Sequence, residues 1–218
     1  MDELAMGGTN LSAATGPVYN PYDLNRISGG SSGGSAVMVS SGVVPFAIGS
    51  DTGDSVRKPA SYNNIIGVKP TYGRISRYGV IPYASSLDHV GYFTRSVRDA
   101  ALALEVLAGR DDRDMTSSYL PVEEYTAKAT GEVSGVKVAV IKNIMDMASD
   151  ELKAQTSTLM EQLRAKGAIV EEVVMDEALL KAAFAVYFII ANCEATANHS
   201  NLDGIRFGVQ YGENSYED

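Results

Sequence analysis

Two serine-bearing, glycine-rich stretches carry the groups that acyl-transfer chemistry needs. They span residues 29–36 and 49–57, and the apolar run 43–48 lies between them. Glycine allows positive φ and close backbone approach, and successive N–H groups in such a turn can converge on an anion. A serine among them can act as a nucleophile while the amides stabilise the developing oxyanion. The sequence therefore predicts two loops that meet at one site, joined by a buried segment.

Two other interpretations of these stretches fit less well. A flexible Gly/Ser linker is rarely interrupted by a buried strand or by charged residues such as Asp51 and Arg57. A phosphate-binding loop requires the pattern G-x-x-x-x-G-K-[ST], and no lysine follows these glycines at that spacing.

Helices are predicted on either side of the second loop. Residues 35–41 are small and apolar, which favours a short helix whose N-terminus points at the first loop. Ser96 can cap a further helix that continues to Gly109, a residue type that commonly ends helices. The apolar residues of that helix recur at helical spacing on one face.

The second half of the chain has the pattern of a β–α–β unit. The apolar runs 136–141 and 168–174 are typical of strands, and the amphipathic segment 150–166 is typical of the helix between them. Such a unit pairs its strands in parallel. We expect the inward face of the helix to be formed by Leu152, Thr156, Leu159, Met160 and Leu163. With a last long helix after residue 176, the pattern predicts an α/β fold.

Composition and charge exclude several classes of protein. The chain has 218 residues, of which 45% are hydrophobic and 21% charged, as in folded globular domains. Its net charge of −9 argues against a large basic surface for nucleic acid. The one cysteine, Cys193, lies in an apolar stretch and is expected to be a small core residue. Residues 1–10 lack the basic start of a signal peptide, and the longest apolar segment, 182–191, is shorter than the ~20 residues of a membrane span.

The pair of loops resembles the signature of the amidase signature family, and the likeness extends over essentially the whole chain. That family uses a Ser–cis-Ser–Lys triad. By this resemblance Ser55 is the acylating nucleophile, and Ser31, 24 positions earlier, is the serine on a cis peptide bond that relays the proton. The resemblance also implies a mixed β-sheet covered by helices on both faces and incomplete in this chain. Residues 1–218 then form part of one such domain, and no metal is required.

Further residues take their expected roles from the same resemblance. It assigns the oxyanion hole to the backbone amides of Thr52, Gly53, Asp54 and Ser55. It assigns the bracing of the loops by hydrogen bonds to Ser32, Asp51 and Arg57. Met6 and Gly7 are similar to a family segment that lines the substrate pocket. Tyr187 is similar to a position near the substrate channel, although a tyrosine of the core or of the cleft wall fits that position equally well.

The catalytic lysine of the family is missing from its expected place. In the family it lies some tens of residues before the first loop, whereas the 30 residues before Ser31 contain no lysine. The first lysines are Lys58 and Lys69, and neither matches the position of the catalytic lysine. We therefore expect the chain to be a piece of a longer enzyme, truncated at both ends.

Asp54 is a second departure, because the family usually has glycine directly before the nucleophile. A carboxylate there disfavours a developing oxyanion unless the side chain points away. It could instead bind the ammonium group of a substrate. The sequence leaves both interpretations open.

His89 offers a different route to an activated serine. It could complete a Ser–His–Asp triad with Ser55 and either Asp88 or Asp51. Because the family moves its protons through serine and lysine, the resemblance favours a structural role for His89.

Three stretches are similar to one subgroup of the family. Residues 69–79, 81–91 and 201–208 closely resemble the A subunit of the tRNA-dependent glutamyl-tRNA(Gln)/aspartyl-tRNA(Asn) amidotransferase. The likeness implies a cytoplasmic glutaminase that supplies ammonia within a heterotrimer containing a B and a small C subunit. It implies no cofactor in this subunit, with ATP and Mg²⁺ serving the B subunit. Contact with tRNA would come only through the B subunit, and no membrane is involved.

Two other functions stay open. A free-standing amidase could act on another small amide without B and C subunits. A catalytically inactive fragment or scaffold is favoured by the missing lysine and by Asp54. Because an unactivated serine hydroxyl is a weak nucleophile, we expect the 218-residue chain alone to show no glutaminase activity.

Overall fold

The computed structural model describes residues 1–204, and the chain divides into two compact units. The first unit comprises Met1–Ala129 together with the chain from Ile189 onward, and the second comprises Thr130–Phe188. Both contain helices and strands, which confirms the predicted α/β class. Within the described residues the strands form three sheets, of which two are antiparallel and lie in the first unit, while the third is a parallel pair in the second.

The first unit carries both serine-bearing loops at the ends of short elements. The 3-10 turn Glu3–Ala5 precedes its helices and strands. In chain order these are β1 (Tyr19–Asn20), β2 (Asp23–Ile27), α1 (Gly33–Ser40), β3 (Phe46–Asp51), α2 (Arg57–Tyr62), β4 (Ile66–Val68), β5 (His89–Thr94), α3 (Val97–Leu107) and α4 (Tyr125–Lys128). The first loop therefore leads into α1, and the second loop joins β3 to α2.

A three-stranded antiparallel sheet in the order β3–β5–β4 supports the second loop. Phe46 of β3 pairs with Thr94 of β5, and Asp51 pairs with His89. The strand predicted over residues 43–48 starts later, at Phe46, because the chain is still turning after α1. In that turn the N–H groups of Val43 and Val44 both donate to the carbonyl of Met38.

Helices cover the two faces of this sheet, because alternate residues of β5 point in opposite directions. On one face Phe93 packs with residues of α1 and α2, in a cluster of Ala36, Val39, Val56, Ala60 and Phe93. On the other face Tyr92 packs against α3, in a cluster of Ile75, Val90, Tyr92 and Ala100. The Tyr92 hydroxyl donates to the carbonyl of Ala100 at 2.6 Å. Burial raises the pKa of Tyr92 to about 12.

Helix α3 begins where the sequence predicts. Ser96 lies in an extended conformation, and its hydroxyl accepts from the backbone N–H of Asp99 at 3.1 Å. The helix ends at Leu107, and Gly109 adopts φ of +137°, a backbone conformation that side chains other than hydrogen disfavour. The predicted cap and the predicted glycine stop are both confirmed.

The second unit contains the predicted β–α–β unit. Its elements are β6 (Lys137–Ile141), α5 (Lys142–Met145), α6 (Asp150–Ala165) and β7 (Ile169–Val173), and they are followed by α7 (Glu177–His199). β6 and β7 pair in parallel, with Lys137 opposite Ile169. The predicted inward face is wrong for Leu152 and Leu159, which are 50% and 51% exposed. The other three residues of that face, Thr156, Met160 and Leu163, are half-buried. A sheet of two strands is too narrow to cover a whole helix face.

The last helix, α7, has 23 residues and, among the described residues, is the one helix whose length and composition would suffice to cross a membrane. Core helices of water-soluble proteins meet the same two conditions. Cys193 on this helix is exposed, so its prediction as a core residue is wrong. The cysteine lies on a side of α7 that no described residue covers. Residues 205–208 of the subgroup-like stretch 201–208 lie outside the described residues.

Candidate active site

The two serine-bearing loops meet where α1 begins and β3 ends. The backbone N–H of Ser32 donates to the carbonyl of Ser55 at 3.2 Å. The Ser32 hydroxyl accepts from the N–H of Ser50 at 3.1 Å and donates to the Ser50 carbonyl at 3.2 Å. The Ser35 hydroxyl donates to the carbonyl of Ile48 at 2.8 Å. Serine side chains at the start of α1 thus make hydrogen bonds to backbone groups of β3, on the edge that does not face β5. These bonds hold the first loop against the strand that leads into the second loop.

Asp51, the last residue of β3, holds the start of α2. Its fully buried carboxylate accepts from the backbone N–H groups of Val56 at 3.0 Å and Arg57 at 3.3 Å. The Arg57 side chain donates to the same carboxylate through Nε at 3.1 Å and Nη2 at 2.9 Å, and it also donates to the carbonyl of Gly53. Burial alone would raise the pKa of Asp51, but the hydrogen bonds from Arg57 and Val56 outweigh it, so that pKa lies below its ordinary value. Asp51 and Arg57 therefore make the contacts that bracing requires.

The turn of residues 52–55 carries the expected nucleophile, Ser55, and is called the nucleophile turn. It presents its own backbone N–H groups. Among residues 1–204, no acceptor is bonded to the N–H of Gly53, Asp54 or Ser55, whereas those of Val56 and Arg57 are taken by Asp51. Ser55 itself is 6% exposed. Free backbone donors beside a buried serine are one requirement of an oxyanion hole.

Asp88 is a residue of this site whose contact the sequence did not predict. It is buried, and its carboxylate accepts from the hydroxyl of Thr52 at 2.6 Å. The same carboxylate accepts from the backbone N–H groups of Tyr83 and Ala84 at 2.9–3.1 Å. Asp88 therefore ties the nucleophile turn to the turn 83–88. The aspartate is visible in the sequence, but nothing local indicates that it reaches Thr52, 36 positions away.

Ser31 lies on the cis peptide bond that the resemblance implies, between Gly30 and Ser31. The residue is fully buried, and its hydroxyl has no hydrogen-bond partner among the described residues. Its carbonyl accepts from the N–H of Asp2 at 2.9 Å. The carboxylate of Asp2, also buried, accepts from the N–H of Asn10 at 2.9 Å. Asp2 is a second residue that the sequence did not single out, and it joins the chain start to the serine loop.

Within the turn 52–55, the side chain of Asp54 is exposed to solvent. Its side chain is 53% exposed and pairs with the ammonium of Lys58 at 3.0 Å, four residues further on. The exposed carboxylate is thus held at the rim and neutralised by a cation. Of the two interpretations of Asp54, this orientation matches the one in which the charge does not oppose an oxyanion.

His89 does not form a triad with Ser55. Its Nδ1 lies 2.6 Å from the carbonyl of Leu87, and its ring packs edge-on against Tyr72 at a centroid distance of 5.4 Å. Burial lowers the pKa of His89, which disfavours the charged imidazolium. Among residues 1–204, no group of three or more His, Cys, Asp or Glu side chains is arranged to hold a metal ion.

Two of the expected pocket residues, Met6 and Gly7, lie in the first unit. Gly7 packs on Asp2, and a β-carbon at this position would lie 2.4 Å from the Asp2 carboxyl. The next residue, Gly8, accepts from the N–H of Gly30 at 3.0 Å, so this segment lies beside the serine loop. Met6 is exposed in the same segment. Tyr187 belongs to the second unit.

Comparison with known proteins shows which family the chain resembles. The family model described as amidase matches residues 1–218. The chain is 48% identical over 211 residues to the A subunit of the glutamyl-tRNA(Gln) amidotransferase of Lactobacillus delbrueckii subsp. bulgaricus, covering 96% of this chain and 44% of that protein. It is 45% identical over 220 residues to the protein of the same name from Staphylococcus saprophyticus, covering 100% of this chain and 45% of that protein.

The fold is similar to solved structures as well. The crystal structure of the A subunit of the glutamyl-tRNA(Gln) amidotransferase from Thermotoga maritima superposes with a TM-score of 0.85 at 42% identity. The match covers 98% of this chain and 45% of that one. The chain therefore spans less than half the length of the relatives that it matches.

Proposed function

Because this chain belongs to the amidase family, we propose that it carries the serine machinery of a glutaminase that supplies ammonia for tRNA-dependent transamidation. The names of its relatives at 45–48% identity support this choice of reaction. The observation that carries it is the buried hydroxyl of Ser31, which has no hydrogen-bond partner among residues 1–204 and belongs to the loop that contacts the turn of Ser55.

In the proposed reaction the Ser55 hydroxyl attacks the side-chain amide carbon of glutamine while its proton passes to the Ser31 hydroxyl, which gives its own proton to a base. The resulting oxyanion is stabilised by the backbone N–H groups of residues 52–55. Collapse of the tetrahedral intermediate breaks the C–N bond, and the proton returns from the base through the Ser31 hydroxyl to the leaving ammonia. Water then attacks the acyl-enzyme ester by the same proton route and releases glutamate.

Proton transfer in this scheme needs a base for Ser31. No described residue hydrogen-bonds to the Ser31 hydroxyl, and the nearest lysine in sequence, Lys58, is paired with Asp54. We propose that a lysine from polypeptide outside the described residues fills this position. The chain by itself then has a nucleophile without a proton acceptor and should be inactive.

The proposal includes the partners of the relatives. The ammonia would pass to a B subunit that uses ATP and Mg²⁺, with a C subunit helping the complex to assemble, in the cytoplasm. Contact with tRNA would fall to the B subunit, because this chain carries a net charge of −9. The chain itself would need no metal or other cofactor.

The test is ammonia release from glutamine by two proteins. One is this chain alone, and the other is a chimera in which the chain replaces the matching part of the Thermotoga maritima protein, in complex with that organism's partner subunits. We expect release only from the chimera, and Ser55→Ala should abolish it. Ser40→Ala, which removes a serine of α1 that donates to Val37 of its own helix, should leave it nearly unchanged.

Other outcomes would point elsewhere. Turnover by the chain alone, lost in Ser55→Ala, would contradict the need for an external base. Turnover of other small amides without partner subunits would indicate a free-standing amidase. No turnover in the chimera, restored by Asp54→Gly, would indicate a scaffold that has lost catalysis through Asp54.

A further inference from the structure

The last turns of α7 present one face with both buried and hydrogen-bonding residues. Ala191 and Ala195 are 0% and 4% exposed. Glu194 and Asn198 lie on the same face, because three or four residues separate them from these alanines and from each other. This part of α7 belongs to the first unit, which also carries the candidate active site.

The carboxylate of Glu194 holds Ser86, in the middle of the turn 83–88. Its Oε2 accepts from the backbone N–H of Ser86 at 2.9 Å, and its Oε1 accepts from the Ser86 hydroxyl. The side-chain amide of Asn198 donates to the carbonyl of Tyr83 at 3.1 Å, so α7 contacts this turn at more than one point. The bonds from Ser86 lower the pKa of Glu194, which keeps the carboxylate charged at neutral pH.

The turn that Glu194 holds also reaches the nucleophile turn. The N–H of Asp88 donates to the carbonyl of Ala84 at 2.8 Å, which closes the turn around Ser86. The Asp88 carboxylate accepts from the N–H of Ala84 at 3.1 Å and from the hydroxyl of Thr52 at 2.6 Å. A path of hydrogen bonds therefore runs from Glu194 to Thr52, the first residue of the nucleophile turn.

We propose that Glu194 is a positioning residue for the nucleophile turn. Its two bonds to Ser86 fix the turn 83–88, and that turn fixes Asp88 against Thr52. The backbone N–H groups of residues 52–55 are thereby held in place before an oxyanion develops, as effective donors must be. Glu194 acts through other residues, because its carboxylate is bonded to Ser86 and not to the nucleophile turn. The inference rests on the proposed amide hydrolysis, since it concerns the geometry of the same site.

The first measurement uses the 218-residue chain and needs no turnover. In NMR spectra, Glu194→Ala should shift the backbone amide signals of residues 52–55 and increase the mobility of that backbone. Glu194→Gln keeps a carbonyl oxygen for Ser86, and it should move the same signals less. The matched control is Glu177→Ala, since Glu177 lies on the same helix in an exposed pair with Lys181. It should leave the signals of residues 52–55 unchanged.

The second measurement is ammonia release by the chimera in complex with its partner subunits. Because the backbone donors act on the transition state, Glu194→Ala should lower kcat about tenfold and change KM by less than about twofold. Glu194→Gln should keep most of the rate, and Glu177→Ala should keep all of it. In the Thr52→Val background, Glu194→Ala should lower kcat by less than about threefold, because the path is already interrupted.

The outcomes separate this inference from the proposed function. Unchanged signals of residues 52–55 in Glu194→Ala would overturn the role of Glu194, even if the chimera releases ammonia. A raised KM with unchanged kcat would also overturn it, and so would an undiminished effect of Glu194→Ala in the Thr52→Val background. A chimera that releases no ammonia would contradict the proposed function, and the NMR comparison of Glu194→Ala with Glu177→Ala would still decide whether Glu194 positions the turn.

Discussion

At the residue scale, two buried carboxylates hold the nucleophile turn from its two ends. Asp51 binds the N–H groups that follow Ser55, and Asp88 binds the hydroxyl of Thr52 that precedes it. Ser55 thereby sits on a turn whose backbone N–H groups are fixed before any substrate arrives. Such preorganisation is what makes backbone donors effective towards an oxyanion.

Asp51→Asn should destabilise the chain by about 1–2 kcal/mol at neutral pH, since Arg57 is half exposed and the pair is partly screened. Because the pKa of folded Asp51 lies below its ordinary value, its contribution is complete above the unfolded pKa of about 3.9 and is lost as pH falls through the folded pKa. Urea unfolding at several pH values should show a smaller acid-dependent loss of stability in Asp51→Asn. Asp146→Asn, from an exposed pair, should change stability by less than about 0.5 kcal/mol, and an equal effect of the two substitutions would contradict the bracing role.

Removing the bond between Thr52 and Asp88 gives a second test. Thr52→Val should cost about 1 kcal/mol, and Asp88→Ala about 2–3 kcal/mol, because it also leaves the N–H groups of Tyr83 and Ala84 without an acceptor. In a double-mutant cycle measured by urea unfolding, Thr52→Val should cost clearly less in the Asp88→Ala background. Additive costs would mean that the two side chains do not interact.

At the element scale, helix starts are set by single serine hydroxyls. Ser96 caps α3, and Ser149 caps α6 by accepting from the N–H of Leu152 at 3.3 Å. In both cases the serine is extended and the helix begins at the next residue. Local chemistry therefore determines these boundaries, which explains why the sequence located them to within one residue.

The same substitution at two positions near and within α6 should have opposite effects. Ser149→Ala removes the cap and should destabilise the second unit by about 1 kcal/mol. Ser157 is exposed and lies in the middle of α6. Ser157→Ala should stabilise the helix by up to about 0.5 kcal/mol, since alanine has the higher helix propensity. Thermal unfolding followed by circular dichroism measures both. A loss of stability in both variants would show that the Ser149 hydroxyl does not act as a cap.

At the scale of the whole molecule, large apolar side chains remain exposed in both units. Val106 of α3 is 76% exposed, and Leu120 is 71% exposed. In the second unit Phe184 is 72% exposed and stacks on Phe188 at a centroid distance of 5.6 Å. Exposed apolar side chains that lie together, as Phe184 and Phe188 do, promote association.

We therefore expect the isolated chain to self-associate. Its weight-average mass in sedimentation equilibrium should rise with protein concentration, and it should bind a hydrophobic dye. Val106→Lys together with Phe184→Lys should shift the association to several-fold higher concentration. Ser157→Lys, which adds a charge at an exposed polar position, should have little effect, and a monomeric wild-type chain would contradict the expectation.

Much of the fold was determined by the sequence because its signals are local. The cap at Ser96, the stop at Gly109 and the parallel pairing of β6 with β7 depend on neighbouring residues and on periodicity. The strand start at Phe46 and the exposure of Leu152 and Cys193 were not predicted correctly. Those properties depend on which elements pack nearby, and the sequence of one segment does not show which other segments pack against it.

The candidate site also has features that the sequence predicted and features that only the tertiary structure revealed. The sequence placed Ser31 and Ser55 on two glycine-rich loops, because clustered glycine and serine favour turns over helices and strands. Only the tertiary structure decided that Asp88 reaches Thr52, that Asp2 binds the loop of Ser31, and that Asp54 turns outward to Lys58. These contacts form when the sheet and the loops bring distant residues within about 3 Å, and hydrogen bonds act only at that range.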